Sequence, residues 1–371
     1  MAGAPRVLHV MWQMSIGGAE RAVFQLVREQ RRRGVDADVV VANDLGLYGE
    51  RVRGTGARVY ELGCKGALDV RRSRPLARIA REYVIVHHHG IEPLLLFASA
   101  RARAPRLVYT HRGGVREHGW SKRARLRLAR PRLRRFAALS ANTRQSAGVL
   151  ATYLRLPESQ ISVVPNGLDF DLLRPVRSRD DVMSELPASV RGAFVVGTAS
   201  KLQPLKRVHL LLEALAHVRE QRIHGVILGD GPSRRSLEEL SAGLGLGEQV
   251  SFLGRKEHVG DYMQLMDAFV LPSGPEEAFG NAAVEAIGLG VPTVVFSDGG
   301  GLTEHVTDRV TGLVVDDVTG LSEVLAELAR DEPLRQRLGD EGQRHVRAEY
   351  SLDRMVERYD ALYEGAVVGR P

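Results

Sequence analysis

PSGPEEAFGNAAVEAIGLGVPT, residues 272–293, is the stretch whose reading decides the fold. Before it, the run from Ala268 to Leu271 is short and apolar, the pattern of a buried parallel strand. Pro272, Ser273, Gly274 and Pro275 then take the chain out of the sheet at the carboxyl end of that strand. Gly280 and Asn281 open a helix with apolar positions at Ala283, Ile287 and Leu289, and Gly288, Gly290 and Pro292 end it. Strand, loop and helix N-terminus in that order make an anion site, because the first-turn N–H groups point outward with a positive dipole behind them. Glu277 lies in the loop and Glu285 in the helix. They do not share a helical face, so one is expected in a crevice and the other beside the first turns.

At 371 residues the chain is long enough for two domains, each with its own core. One cysteine, Cys64, excludes an intramolecular disulfide and a cysteine zinc site and fits a reducing cytosol. No apolar run approaches the ~20 residues that span a bilayer. The run Val7 to Trp12 reads as a first strand rather than a signal peptide. The net charge is +7, and of 52 basic residues only five are lysine: Lys65, Lys122, Lys201, Lys206 and Lys256.

The first half alternates strands and helices, which predicts a doubly wound parallel sheet. Strands are expected at 6–10, 38–41, 58–62, 84–88, 106–110, 138–141 and 161–164, with helices between them at 19–30, 91–101 and 145–154. Gly17-Gly18 follow the first strand and permit close backbone approach where the next helix starts. The G-x-G-x-x-G fingerprint is missing here, and Gly229-Asp-Gly231 has Arg234 where a third glycine belongs, which argues against a nicotinamide dehydrogenase. Asp36-Ala-Asp38 stands at the mouth of the second strand and reads as a solvated turn rather than a metal site. In His87-His88-His89 strand alternation puts only His87 and His89 on one face, so a metal would need a third ligand from elsewhere. Strand-end histidines beside a ligand crevice are the preferred reading. Thr110-His111-Arg112 ends another strand. Lys122 to Arg135 is a basic stretch with Leu126, Leu128 and Leu133 on one side and Pro131 expected to break or kink it. It reads either as a helix on an anionic membrane surface or as a solvated arginine face.

Pro165-Asn166-Gly167-Leu-Asp169 closes the first domain with a strong turn signal, and 171–191, rich in Arg, Asp, Ser and Pro, is expected to be the interdomain linker. The second domain begins with a strand at 193–199, followed by Ser200-Lys-Leu-Gln-Pro-Leu-Lys206 and a helix from about Val208. Two of the five lysines fall in that short loop. Strands at 225–228 and 250–254 follow, the first leading to Gly229-Asp-Gly231-Pro232 and the second to Arg255 and Lys256. A Gly299-Gly-Gly301 loop precedes Glu304, and a last helix spans 352–367.

Taken in order, these motifs resemble the retaining glycosyltransferases of the GT-B fold, family 4 (group 1). The likeness is carried by Glu277-x7-Glu285 with Phe279-Gly280 between and Gly290-Val-Pro292 after, and by Gly17-Gly18, Pro165-Asn-Gly167, Lys201 to Lys206 and Gly229-x-Gly231-Pro. It covers nearly the whole chain. It implies two Rossmann-like α/β domains facing across a cleft. An acceptor domain would span 1–175, with helix 352–371 crossing back to it, and a nucleotide-sugar donor domain 176–351. In the family the first Glu, here Glu277, contacts the transferred sugar and the second, Glu285, the ribose, while the helix at Phe279-Gly280-Asn281 faces the diphosphate. By the same likeness Lys201 and Lys206 clamp the diphosphate, with Ser200 standing where the family has Gly. Gly17, Gly18, Gly229 and Gly231 border the donor, the backbone near Arg255 reads the base, and His111 lies near the donor sugar.

The implied activity is retaining transfer of a hexosyl or N-acetylhexosaminyl unit, from a nucleotide-diphosphate sugar with UDP as the family prior, to an acceptor hydroxyl. No cofactor and no bound metal are expected, and no nucleic-acid partner. Loss of one contact to the leaving diphosphate should cost about 3–4 kcal/mol of transition-state stabilisation. A related epimerase or hydrolase of nucleotide sugars is the alternative enzyme, and a basic nucleic-acid-binding protein the alternative outside enzymes.

Overall fold

The structure is a computed structural model that describes residues 6–66, 69–102, 106–113 and 120–368, with the side chains of 120–126 outside the description. It divides into two units, one holding 1–168 and 350–371 and the other 169–349.

The first unit alternates β1 (Val7–Gln13), α1 (Gly18–Arg32), β2 (Ala37–Asp44), α2 (Gly46–Arg53), β3 (Val59–Glu61), α3 (Val70–Ser73), α4 (Pro75–Ala80), β4 (Ile85–His88), α5 (Pro93–Ala100), β5 (Arg106–His111), α6 (Trp120–Leu133), β6 (Ala138–Ala141), α7 (Arg144–Leu154) and β7 (Ile161–Val163). Among the described residues its seven strands are parallel, in the order β3-β2-β1-β4-β5-β6-β7. The Val, Leu and Ile runs of these strands are buried on both faces, as a parallel sheet covered by helices requires. One face packs against α1 and α15 (Leu352–Val368), and its core holds Val23, Leu26, Met355, Val356, Tyr359 and Tyr363. Each such side chain, fully buried, contributes about 1.5–3 kcal/mol. The last helix of the chain is therefore part of the first unit's core.

The second unit runs α8 (Arg179–Met183), β8 (Phe194–Ala199), α9 (Val208–His217), β9 (Ile223–Leu228), α10 (Arg234–Gly243), β10 (Val250–Gly254), α11 (Val259–Met263), β11 (Ala268–Leu271), α12 (Asn281–Gly288), β12 (Thr293–Phe296), β13 (Leu313–Val315), α13 (Val318–Arg330) and α14 (Glu332–Glu349). Its six strands are parallel, in the order β10-β9-β8-β11-β12-β13.

Three expectations need correcting. Residues 171–191 belong to the second unit rather than to a linker. Asp261 accepts the amides of Val176 (2.7 Å) and Arg177 (3.2 Å), and Ser178 caps α8. Asp36-Ala-Asp38 is not a solvated turn: Asp38 is buried, accepts from the Arg58 amide (2.7 Å), Arg58 Nε (2.9 Å) and the Tyr83 hydroxyl (2.6 Å), and pins β2 to its neighbours. Pro131 does not end the basic helix, which continues to Leu133 and buries Ala129 and Leu133, while Leu128 points outward.

Candidate functional site

In each sheet the strand order reverses once, between β1 and β4 in the first unit and between β8 and β11 in the second. Open α/β sheets bind ligands outside the carboxyl ends of the strands at such a reversal. In the second unit β8 leads into Ser200–Lys206 and β11 into Pro272–Gly280, so the sheet brings the two lysines' loop and the opening stretch side by side.

The first loop is held tightly. The Ser200 amide donates to the Leu228 carbonyl (3.1 Å) and the Leu202 amide to the Asp230 carbonyl (3.0 Å). Gly229 lies at φ +119°, where a Cβ would stand 1.8 Å from the Ser200 carbonyl oxygen, and a Cβ on Gly231 would meet the Leu202 carbonyl at 2.4 Å. Both glycines are thus required by the crossing of two backbones. Ser200 is absent from the left-handed region, so serine fits there without strain. The left-handed residue is Arg207, at φ +46°, which lets a 3-10 turn at Pro204–Lys206 stop and α9 begin.

Lys206 and Glu277 form an ion pair in which the ammonium donates to the carboxylate, with side-chain exposures of only 18% and 12%. The other Glu277 oxygen accepts the Gly280 amide at 3.2 Å. Burial alone would raise the Glu277 pKa, but the Lys206 ammonium outweighs it and holds the carboxylate below its ordinary value. Gly280 sits at φ +75° as the N-cap of α12, packed against Leu302, and Asn281 begins the helix. Phe279 is buried against His305 (ring centroids 4.4 Å), whose Nε2 donates to the Phe279 carbonyl at 2.7 Å. Glu285 is buried on α12 one turn beyond Asn281, and i,i+4 positions lie on one helical face. Neither carboxylate stands open in a crevice. Lys201 and Arg255 are exposed on the same unit, and neither contacts the Lys206–Glu277 pair.

Arg207 escaped the sequence reading. Its guanidinium donates to the carbonyls of Pro272 (2.8 Å) and Ser273 (3.0 Å) and takes Asp298 with two bonds (2.8 and 2.6 Å), lying over the Phe296 ring. It ties the loop after β11 to the start of α9, and so holds Glu277 and Lys206 in register. Lys206-Arg207 was the visible signal, but nothing in the sequence pairs Arg207 with Asp298.

In the first unit Gly17 caps α1 and its carbonyl accepts the Arg21 amide at 3.1 Å, with Gly18 as the first helical residue. Next to β1, His87 and His89 do share a face, with ring centroids 3.9 Å apart, and the third imidazole is His9. His9 Nδ1 meets His89 Nε2 at 3.0 Å and its Nε2 meets Gln30 Oε1 at 2.8 Å. His87 bonds Tyr363 and Thr110, and His88 on the opposite face bonds Ser99. Burial pushes His9 down to about 4 and His88 to about 3, so the group is neutral. Both ring nitrogens of His9 and of His87 have protein partners, His9 Nδ1 through His89 itself, while the buried His89 Nδ1 has no hydrogen-bond partner among the described residues. His111 ends β5, buried, with Nδ1 3.0 Å from the Tyr109 hydroxyl. Arg112 beside it donates to Asn166 and to the Tyr359 hydroxyl (3.0 Å), joining β5, the Pro165-Asn-Gly turn and α15. Residues 114–119, after Gly113, lie outside the described residues.

Two parallel sheets with single reversals, and a paired carboxylate and ammonium at one of them, fit the GT-B glycosyltransferase class that the motifs resemble. The comparisons agree. The sequence profile described as Glycosyl transferases group 1 matches residues 186–345, and that of Glycosyltransferase Family 4 matches 16–172. The chain belongs to the group 1, family 4-like glycosyltransferases. It is 28% identical over 321 residues to EpsF of Bacillus subtilis (83% of this chain, 82% of that protein). It is 27% identical over 354 residues to the lipopolysaccharide core biosynthesis glycosyltransferase LpsE of Rhizobium meliloti (92% and 94%). HepE of Anabaena, solved with UDP-glucose, has the same fold, with a TM-score of 0.83 over 97% of this chain and 100% of that one at 24% identity.

Proposed function

We propose that this glycosyltransferase moves a hexosyl or N-acetylhexosaminyl unit from a UDP-sugar to an acceptor hydroxyl, with retention of anomeric configuration and without a bound metal. The observation that carries the reading is the buried Lys206–Glu277 pair beside the N-terminus of α12, at the strand reversal of the second unit. An ion pair of this kind stores a cation and a carboxylate, both ionised, where a diphosphate and a sugar can divide them. Lys206 turns to the diphosphate, joined by Lys201 and by the first-turn amides of α12, and the leaving charge is stabilised. Glu277, released, accepts hydroxyl protons of the sugar, and Glu285 those of the ribose. Gly229 and Gly231 keep side chains away from the donor, and Ser200, Phe279, Asn281 and Arg255 line it. The acceptor hydroxyl attacks on the face that the nucleotide leaves. Its proton passes to the departing phosphate oxygen, so the C–O bond to phosphate breaks as the C–O bond to the acceptor forms. His111 hydrogen-bonds the sugar, and Gly17-Gly18 border the donor phosphates and the acceptor. UDP-glucose bound to a neighbour of the same fold supports the choice of base.

Thermal unfolding with UDP-, GDP- and ADP-sugars tests this. A ligand at ~100 times its dissociation constant adds about 2.7 kcal/mol of stability. A UDP-sugar should raise the midpoint of the wild type and leave Glu285→Ala unmoved. If only GDP- or ADP-sugars stabilise, the donor base is wrong; if none does, the reading fails.

A further inference from the structure

Lys206 and Glu277 stand on different loops, so the distance between them is set by whatever joins those loops. Two backbone bonds do part of this. The Gly274 amide donates to the Leu205 carbonyl at 3.0 Å, and the Gly301 amide donates to the Glu277 carbonyl at 2.9 Å. Arg207 does the rest with a side chain. It ends the loop after β8, donates to the Pro272 and Ser273 carbonyls after β11, and takes Asp298 after β12 with two bonds. β8, β11 and β12 are neighbours in the sheet, so one guanidinium spans the carboxyl ends of three adjacent strands at the strand reversal.

The backbone there does not suit an arginine. A Cβ makes the left-handed region costly, and glycine would hold the same turn without strain. Arg155 and Arg309, the other non-glycine residues in this region among the described residues, are exposed, whereas Arg207 is half-buried beside Lys206. The guanidinium at position 207 therefore supplies something that the turn itself does not need. Residues held in strained conformations persist where the surrounding structure over-determines them, and they concentrate at active sites.

The bonds also say how Arg207 acts. A guanidinium has five N–H groups, and protein oxygens take four of them here, so little is left for a ligand phosphate. A lysine could not replace it, because an ammonium is a point charge without the planar fork that reaches two carbonyls and a carboxylate together.

We propose that Arg207 is a positioning residue for the donor diphosphate, with Asp298 as its anchor. The pair sets the loop of Lys206 against the loop of Glu277, so that the ammonium meets the second phosphate of the donor. Arg207 acts through Lys206 and does not touch the nucleotide. The inference rests on the reading of this unit as a nucleotide-sugar site.

The test is calorimetric titration of UDP and UMP, which needs no acceptor. Arg207→Gly keeps the left-handed backbone and removes the guanidinium. The wild type should prefer UDP by at least about tenfold, and R207G by less than about threefold, with its affinity for UMP unchanged. Arg207→Lys, which keeps the charge, should lose the preference as far as R207G does. Lys206→Ala and the double variant K206A/R207G should bind UDP alike, because Arg207 has nothing left to position. Amide hydrogen exchange at Gly274 and Gly301 reads the loops without any ligand, and should be faster in R207G than in the wild type. A preference that survives in R207G overturns this inference alone. A preference kept in R207K overturns it too, since charge would then suffice. UDP bound more weakly by K206A/R207G than by K206A would mean that the guanidinium contacts the diphosphate itself. Unchanged exchange at both glycines would show that Arg207 does not hold the loops. A wild type without any preference for UDP overturns the donor reading, and this inference with it.

Discussion

Lys206 and Glu277 are each other's condition for staying charged. Both side chains are more than four-fifths buried, and removal of one leaves the other ionised in a poorly solvated place. Breaking a buried pair costs about 3–5 kcal/mol, whereas replacing both ions together is often close to neutral. Lys206→Ala and Glu277→Ala should therefore each destabilise the second unit by about 3 kcal/mol, and the double variant by clearly less than their sum. Urea denaturation of the four proteins measures this. Additive losses would mean that the two residues act apart and that the contact has no energetic meaning. Arg207 works beside them through backbone carbonyls, and its left-handed φ of +46° shows how firmly the loop after β11 is held.

At the scale of elements, the strands were legible in the sequence because parallel strands buried on both faces read as plain apolar runs. Among the described residues, eleven of the thirteen strands were expected close to where they lie, and β1 and β2 each ran about three residues further than expected. The small helices were not legible. α2, α3 and α4 are short and arginine-rich, and α8 holds its place through Asp261, which lies about eighty residues away in the chain. The same limit applies to the site. The loops that carry Lys206 and Glu277 were visible, but their pairing, the role of Arg207 and the third imidazole at His9 are tertiary facts. The buried histidines of β1 and β4 also give the first unit a pH dependence. His9 falls from an ordinary 6.5 to about 4 and His88 to about 3, both through burial. The unfolded chain binds protons that the folded one refuses, so stability is full above pH ~6.5 and is lost as the pH falls towards 4, by about 1.4 kcal/mol per unit for each such group. Denaturation curves from pH 7 to pH 4.5 should show this decline, and His88→Gln should flatten part of it. A stability that is level across the window would show that these imidazoles are not held neutral.

At the scale of the molecule, the chain returns to its first unit only with α15. Met355, Val356, Tyr359 and Tyr363 complete the core beside α1 and β1. The second unit has its own core from Phe194 to Leu338 and contains Lys206, Glu277 and Glu285. A fragment of residues 169–349 should fold alone, with a cooperative thermal transition by circular dichroism. A chain ending at residue 349 should lose the transition of the first unit. A non-cooperative fragment would show that the two cores are not independent.

The central claim is that the second unit grips a diphosphate through Lys206. Calorimetric titration of UDP and UMP into wild type and Lys206→Ala, at a temperature where both are folded, tests it most directly. The wild type should prefer UDP by at least about tenfold, or 1.4 kcal/mol, and the variant should bind the two nucleotides alike while its affinity for UMP is unchanged. A wild type that binds UDP and UMP equally, or a variant that keeps the preference, would contradict the account.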